Sequence, residues 1–169
     1  WSAVQAASSD RRLDLVHFGR LVTWTEENDT EAEDAISLND LPQDARCIGV
    51  VWNEERDVCE IRVRLAGLNK AADAEVQYWF QTWPSSPPAM PTIEDPCDDP
   101  WQGDWITAQV QREFRDGVSI FTFKPLDKAE NPLADNLPGV NYRRTLKIRL
   151  LLPPDVPKLE SLEMFSDSL

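Results

Sequence analysis

The sequence predicts an all-β domain folded as an antiparallel β-sandwich of jelly-roll type. Apolar and polar residues alternate with a period of two in one segment after another, and no apolar stripe of helical period holds for more than about two turns. The alternating segments suggest about eight strands at near-regular spacing. Two packed sheets are the usual way to bury one face of that many antiparallel strands.

Alternation is clearest in residues 59–65 and 144–152, where apolar side chains alternate with charged ones. The opposite phase would bury the basic side chains of both segments, and an unpaired buried charge costs several kcal/mol. The phase therefore predicts which side chains form the core. The predicted core residues are Ile48, Val50, Trp52, Ile61, Val63, Leu65, Leu146, Ile148, Leu150 and Leu162.

Weaker alternation marks the remaining strand candidates. In residues 105–111, the side chains of Ile106, Ala108 and Val110 are predicted to point inward. In residues 75–82, Trp79 is out of phase with Tyr78 and Phe80, which places aromatic rings on both faces of that strand. The other candidates are residues 21–24, 47–52, 118–124 and 159–165.

Length and charge limit the classes of function. The chain has 169 residues, 41% of them apolar, and 17 basic residues against 30 acidic ones give a net charge of −13. This charge repels phosphate backbones and anionic leaflets, so neither nucleic acid nor membrane is expected as a partner. No apolar run approaches the roughly 18 residues of a spanning helix.

The chain is predicted to be a single domain, residues 1–169, within a longer multidomain protein. It opens on Trp1 and Ser2, with neither an initiator methionine nor a signal-peptide core. The expected location is extracellular or in the cell envelope, although nothing in the sequence excludes the cytoplasm.

Two connections between predicted strands have unusual compositions. Residues 26–44 carry eight acids and no base, and are expected to be solvated. Residues 83–104 contain six of the 13 prolines and five acids, and tryptophans lie in or beside this stretch. So long a connection in a compact domain is usually functional or disordered, and its tryptophans argue against disorder.

Catalysis by this segment is not expected. The only histidine, His17, has no nucleophile motif beside it and is predicted to lie at the surface. Cys47 and Cys59 are predicted to be small buried thiols, Cys97 is predicted to be exposed, and their spacing fits no zinc or redox motif. Because acids are abundant, a pair of catalytic carboxylates cannot be singled out. The candidate carbohydrate-active enzyme is the parent protein and not this segment.

Three segments resemble the galactose-binding-like, discoidin-type β-sandwich: residues 48–65, residues 75–80, and the closing pair 142–152 with 159–165 around a proline-containing turn. The resemblance covers roughly 120 residues and implies that fold. The long tryptophan- and proline-containing loop replaces the short loops of the family. No ligand-binding residue of the family can be matched to a position here.

The long loop is the predicted ligand site. Sugars combine apolar C–H faces with hydroxyl groups, and indoles beside carboxylates and amides can hold both. The predicted ligand-binding residues are Trp83, Asp99, Trp101, Gln102 and Trp105. A hard cation such as Ca²⁺ could use the carboxylates of Asp98, Asp99 and Asp104. The competing interpretations are that the indoles only pin the loop to the sandwich and that the acids are solvated.

Basic residues concentrate on the two clearest strands, at Arg62, Arg64, Lys147 and Arg149. If the strands are neighbours, these side chains form a positive stripe that docks a neighbouring domain or an anionic sugar, or pairs with nearby acids. The sequence thus supports two functional hypotheses. The first is a non-catalytic carbohydrate-binding or accessory domain of a polysaccharide-active protein, and the second is an interaction module without a small ligand.

Overall fold

The computed structural model describes residues 12–24, 31–35, 37–40, 45–68, 71, 73–81, 103–125, 141–153 and 158–167. These residues form two antiparallel sheets that pack face to face, which confirms the predicted β-sandwich. The strands are β1 (Arg20–Trp24), β2 (Glu31–Ala35), β3 (Cys47–Val58), β4 (Glu60–Leu65), β5 (Glu75–Gln81), β6 (Gly103–Thr107), β7 (Val110–Arg115), β8 (Val118–Phe123), β9 (Arg143–Leu151) and β10 (Leu159–Phe165). Short 3₁₀ turns span Leu15–Phe18, Leu38–Asp40 and Ala66–Leu68.

The larger sheet has six strands in the order β2-β1-β3-β9-β5-β6, and the smaller has four in the order β10-β4-β8-β7. The longest strands, β3 and β9, pair at the centre of the larger sheet. In the described part of the chain, no helix is both long and apolar enough for a membrane span.

The core between the sheets has the phase that the sequence predicts. Each of the ten predicted core side chains is buried, with at most 5% of its surface exposed. Trp52 is fully buried, and its indole N–H donates a hydrogen bond to the carbonyl oxygen of Leu15 at 2.8 Å. This bond ties the N-terminal 3₁₀ turn to the core while satisfying a polar group that would be costly to bury alone.

The chain passes from the larger to the smaller sheet at Cys59, which lies between β3 and β4. Its N–H donates to the carbonyl of Phe165 at 2.9 Å, and its own carbonyl accepts from the N–H of Phe123 at 3.0 Å. Cys59 and Cys47 are both buried, as predicted. Burial raises the pKa of Cys59 to about 12, so this thiol is protonated and unreactive at neutral pH.

A similar crossing corrects the prediction of one strand over residues 105–111. β6 and β7 belong to different sheets, and the chain changes sheets at Ala108 and Gln109. Alternation continues through the crossing because both strands turn the same set of residues toward the shared core: Ala108 and Val110 are buried, and Ile106 packs against the core. The period-two pattern shows which side chains face the core. It does not show which sheet a strand belongs to.

The acidic connection 26–44 is also corrected. Part of it is strand β2, which pairs with β1 at the edge of the larger sheet, and another part is the 3₁₀ turn Leu38–Asp40. Acidic residues disfavour strands in general, but charges are common on edge strands, where they discourage pairing with other chains. The rest of this connection lies outside the described residues.

Gly49 allows β3 to approach β9 closely at the centre of the larger sheet. A Cβ atom at this position would lie 1.9 Å from the carbonyl oxygen of Ile148. Real Cβ atoms do not approach backbone oxygens so closely, so any side chain here would force the two central strands apart.

We therefore expect Gly49→Ala to lower the free energy of unfolding by about 2 kcal/mol or more. Asn53→Ala serves as the control, since Asn53 is exposed on the same strand and its change should stay within about 0.5 kcal/mol. Urea denaturation followed by fluorescence measures both. Equal stabilities for the two variants would show that β3 and β9 do not meet as described.

Candidate functional site: the indole–cation cluster

The larger sheet buries apolar side chains on its outer face as well as on the face toward the core. Val22, Trp24, Cys47 and Val51 are at most 4% exposed and form a second cluster, against which Trp105 packs. On β1 and β3 these side chains alternate with core residues, so both faces of these strands are covered. A nearly continuous apolar run is the sequence signal of such a strand.

Three indoles meet on this outer face. The ring centroids of Trp24 and Trp105 are 5.4 Å apart at an interplanar angle of 81°. Those of Trp79 and Trp105 are also 5.4 Å apart, at 72°. Edge-to-face pairs of this kind contribute about 0.5–1.5 kcal/mol each beyond their area burial. Trp79 thus lies opposite the inward-facing Tyr78, as its phase predicts.

The contact between Trp24 and Trp105 shows that the larger sheet curls toward its outer face. β1 and β6 are four strand spacings apart, which is about 19 Å of backbone in a flat sheet. The two ring centroids are nevertheless 5.4 Å apart. Twist and coiling must bring the two sides of the sheet together, so the sheet bends around the indoles.

Two basic side chains of β9 lie across the indoles. Lys147 Nζ is 4.2 Å from the ring centroid of Trp79 and 5.9 Å from that of Trp105. The guanidinium carbon of Arg149 is 4.2 Å from the centroid of Trp105. Cation–π contacts contribute about 0.5–2 kcal/mol as they become desolvated. We call Trp24, Trp79, Trp105, Lys147 and Arg149 the indole–cation cluster.

A row of polar side chains adjoins the cluster on β5 and β6. Arg149 Nε donates to Gln77 Oε1 at 2.8 Å, and Gln77 Nε2 donates to Glu75 Oε1 at 2.7 Å. The hydroxyl of Thr107 donates to the same Glu75 oxygen at 2.6 Å. The hydrogen bonds from Thr107 and Gln77, aided by the charge of Arg149, hold the pKa of Glu75 below its usual value. The carboxylate is therefore ionised at neutral pH.

Thr145 fixes the backbone of Trp79 where the regular pairing of β5 with β9 stops. The last paired residues there are Tyr78 and Ile148. Beyond them, the N–H of Trp79 donates to Thr145 Oγ1 at 3.1 Å, and the Thr145 hydroxyl donates to the Trp79 carbonyl at 2.7 Å. A side chain thus replaces the missing backbone partner and sets the position of the indole.

The indole N–H of Trp24 is buried and has no hydrogen-bond partner among the described residues. The buried indole of Trp52, by contrast, donates to a backbone carbonyl. Because an unsatisfied buried donor costs about 1–3 kcal/mol, the packing of Trp24 against the cluster must outweigh that cost.

Only part of the predicted loop site lies within the described residues. Trp83, Asp98, Asp99, Trp101 and Gln102 lie outside them, so the proposed contacts of these side chains stay predictions. Trp105 lies in the cluster.

Asp104 is exposed on β6. Neighbouring strand residues point to opposite faces, so Asp104 and Trp105 do not share a surface. Within the described ranges, no three metal-ligating side chains come together. The calcium prediction depends on Asp98 and Asp99 and is untested.

The predicted positive stripe is wrong as a single surface. Arg62 and Arg64 are on β4 of the smaller sheet, whereas Lys147 and Arg149 are on β9 of the larger sheet. The two pairs therefore lie on opposite sides of the sandwich. Alternation predicts that all four side chains point away from the core, but it does not predict which strands are neighbours.

The individual arginines are also engaged within the chain. Arg62 Nε donates to Glu60 Oε1 at 2.6 Å, and its guanidinium lies 4.7 Å from the ring centroid of Phe165. Arg149 is only 8% exposed. The pairing of Arg62 with Glu60 agrees with the alternative of nearby acid–base pairs. The role of these residues as an interface stays a prediction.

Sequence reasoning did not single out Trp24, Glu75, Gln77 or Thr107. The signal for Trp24 was present, since it shares the phase of Val22, while Leu21 in the other phase is apolar too. The polar residues carry no such signal, because their roles depend on which strands lie side by side.

Comparisons with family models and with curated proteins find no match. A solved chain of the β-galactosidase BgaA from Streptococcus pneumoniae is similar over 96% of this chain and 96% of its own, with 13% sequence identity and a TM-score of 0.43. At these values the likeness has no bearing on what this chain binds.

We expect Thr145→Val to lower the free energy of unfolding by about 1–3 kcal/mol, because it leaves both backbone groups of Trp79 without their partner. Thr122→Val is the matched control: Thr122 is also a strand threonine, and no hydrogen bond of its side chain is described. Denaturant unfolding measures the two. A loss no larger than that of the control would contradict the role of Thr145.

Glu75 provides a pH-dependent test of the polar row. Because its folded pKa is below the ordinary 4.5, the carboxylate stabilises the fold above about pH 4.5, and this stability is lost as the pH falls through the folded value. Thr107→Val removes the largest cause of the shift and should raise the pKa of Glu75 toward 4.5. An NMR titration of the side-chain carboxyl measures this. Thr122→Val should leave the pKa of Glu75 unchanged. If Thr107→Val also leaves this pKa at its wild-type value, that result would contradict the described hydrogen bond.

Proposed function

We propose that the chain is a non-catalytic carbohydrate-binding domain, with the exposed margin of the indole–cation cluster as its binding surface. The observation that supports this most is the row formed by half-buried Trp79 and Trp105 beside Gln77, Glu75 and Thr107 on a sheet that curls toward them. Such a surface combines apolar platforms with fixed polar groups, as ligand sites usually do.

The chemistry of this surface suits a sugar ring. Indoles can pack against the apolar C–H face of a pyranose, while Glu75 accepts and Gln77 can both donate and accept hydrogen bonds at the hydroxyls. The internal hydrogen bonds of the row hold these groups in place before binding, which reduces the entropy lost on association.

We further propose that the domain is an accessory part of a larger, extracellular, polysaccharide-active protein, with the galactose-binding-like variant of the sandwich. The resemblance of its strand pattern to that family and the absence of any nucleophile motif beside His17 support this proposal. The side chain of His17 is 80% exposed and lies 3.5 Å from Asp14, on a part of the surface with no cysteine or serine partner described. The loop residues Trp83, Asp99, Trp101 and Gln102 remain candidates for further contacts.

Alanine substitutions of Trp79 and Trp105 test the binding surface. A glycan array identifies a ligand for the wild-type chain, and calorimetry then measures its affinity. We expect Trp105→Ala and Trp79→Ala each to weaken binding at least tenfold, which corresponds to about 1.4 kcal/mol for the loss of one aromatic platform. Phe18→Ala is the control, because it removes a 52% exposed aromatic ring that is not part of the indole–cation cluster, and it should leave the affinity unchanged.

The same measurement compares the two placements of the site. If Trp83→Ala and Trp101→Ala abolish binding while Trp79→Ala does not, the loop rather than the sheet binds the sugar. Wild-type affinity in Trp79→Ala and Trp105→Ala variants that remain folded by circular dichroism would contradict the proposed surface.

The second candidate function is an interaction module that docks against a neighbouring domain without a small ligand. The observation that favours it is the exposure of apolar side chains beside the first 3₁₀ turn, where Leu13 is 64% and Phe18 is 52% exposed. Large exposed apolar residues are unremarkable singly but suggest contact surfaces when they lie close together. A chain that binds no glycan on the array, and binds its flanking domain in a manner sensitive to Leu13→Ser, would favour this candidate.

A further inference from the structure

Strand β7 is the outermost described strand at one end of the smaller sheet. It pairs with β8 on one side and with no other described strand. Residues 111–116 are all exposed, with Phe114 at 39% and the side chains of Glu113 and Arg115 at 59% and 64%. An exposed strand edge presents unpaired backbone groups to other chains.

The turn before β8 determines which backbone groups face the edge. Asp116 and Gly117 have φ angles of 54° and 75° and form a two-residue hairpin loop. In such a hairpin, the flanking residues Arg115 and Val118 exchange backbone hydrogen bonds, and hydrogen-bonded pairs then alternate along the ladder. The backbone groups of Arg112 and Phe114 therefore point outward. Accordingly, the N–H of Phe123 points away from β7 and donates to the carbonyl of Cys59, the residue before β4.

We propose that β7 pairs antiparallel with β7 of a second copy of this chain, with Phe114 opposite Phe114. A symmetric pairing of two β7 strands must be centred on a single residue. Two residues that lie opposite each other must both turn their backbone N–H and C=O groups toward the partner strand, or both turn them away. Over the exposed part of the strand, the centres to compare are Arg112, Glu113 and Phe114.

Charge distinguishes the three registers. Centring on Arg112 places two arginines opposite each other, and centring on Glu113 places two glutamates opposite each other. Centring on Phe114 instead places Glu113 opposite Arg115 of the second copy, twice by symmetry, and joins two exposed phenyl rings. Like charges directly opposite each other are destabilising and opposite charges stabilising, so only the third register is attractive.

The composition of the edge suits a second copy of an acidic chain. The charged residues of β7 and its turn, 112, 113, 115 and 116, are two arginines and two acids, so strand and turn together are neutral although the chain carries −13. Charged side chains on edge strands usually prevent pairing. Here the alternating signs are complementary in one antiparallel register, so they select that register. The pairing joins four strands from each copy into one continuous sheet.

Sedimentation velocity of the full 169-residue chain tests the proposal over concentrations from about 1 µM to about 1 mM. An ionic strength of about 0.15 M screens the net charge while leaving contacting pairs effective. We expect a reversible dimer within this range. A chain that stays monomeric throughout would overturn the proposal.

Charge-reversal variants test the register. Arg115→Glu and Glu113→Arg each place like charges opposite each other twice, and each should weaken the dimer by about tenfold or more. The double variant Glu113→Arg/Arg115→Glu restores opposite charges and should dimerise within about threefold of the wild type. Lys124→Glu and Glu55→Arg, which reverse exposed charges outside β7, are the matched controls.

Two results of the variants would overturn the proposal. One is a dimer that weakens equally in the controls, which would mean that total charge and not register matters. The other is a double variant that stays monomeric while its circular dichroism and melting temperature match the wild type. All the changed residues are exposed, so the variants are expected to fold.

Discussion

The pairing of β3 with β9 is the contact on which both faces of the larger sheet depend. Their inward side chains, Ile48 and Val50 opposite Leu150 and Ile148, form the centre of the core. On the outer face, Cys47 and Val51 of β3 pack with Trp24, and the basic side chains of β9 lie against the other indoles. Gly49 sets the approach of the two strands, and a shift here would move the core and the candidate site together.

The outer face shows how a sheet can carry charge and still be covered. Lys147 and Arg149 lie in the outward phase of β9, where alternation predicts solvated side chains. Instead their alkyl stems can cover apolar surface while the charged ends lie against indole rings, as long basic side chains do elsewhere. Arg149 gains a further hydrogen bond to Gln77, so its near-complete burial leaves Nε paired. Affinity for a ligand would therefore depend on packing as much as on charge.

Alternation predicted the core well where a strand has one charged face. In β4 and β9, reversing the phase would bury arginines and lysines, so the core residues followed directly. Alternation failed at two places where the pattern of buried side chains does not show which strands are present. It continued through the crossing from β6 to β7, because both strands turn residues to one core. It did not mark β2, because the acidic sequence of that strand has little β propensity.

The candidate site was predictable only in part, for a related reason. The phase of Trp79 alone placed its indole on the face opposite Tyr78 and Phe80, without deciding which of the two faces is buried. Its contact with Trp105 required knowing that β5 and β6 pair in that register, and the contact of Trp105 with Trp24 required the curl of the whole sheet. Sequence patterns describe single strands, whereas a site made from four strands is a property of their order.

The separation of the two surfaces affects what the domain could achieve in binding. β7 belongs to the smaller sheet and the indole–cation cluster to the larger one, so pairing through β7 would leave the cluster open in both copies. Single protein–sugar sites with one or two aromatic platforms are limited in affinity by the small area they bury. Two such sites held in one assembly would bind a repeating polymer with an affinity raised by their effective concentration, provided that both reach the same chain. An extended polysaccharide meets that condition better than a short oligosaccharide, since only a long ligand can reach the indole–cation clusters of both copies at once.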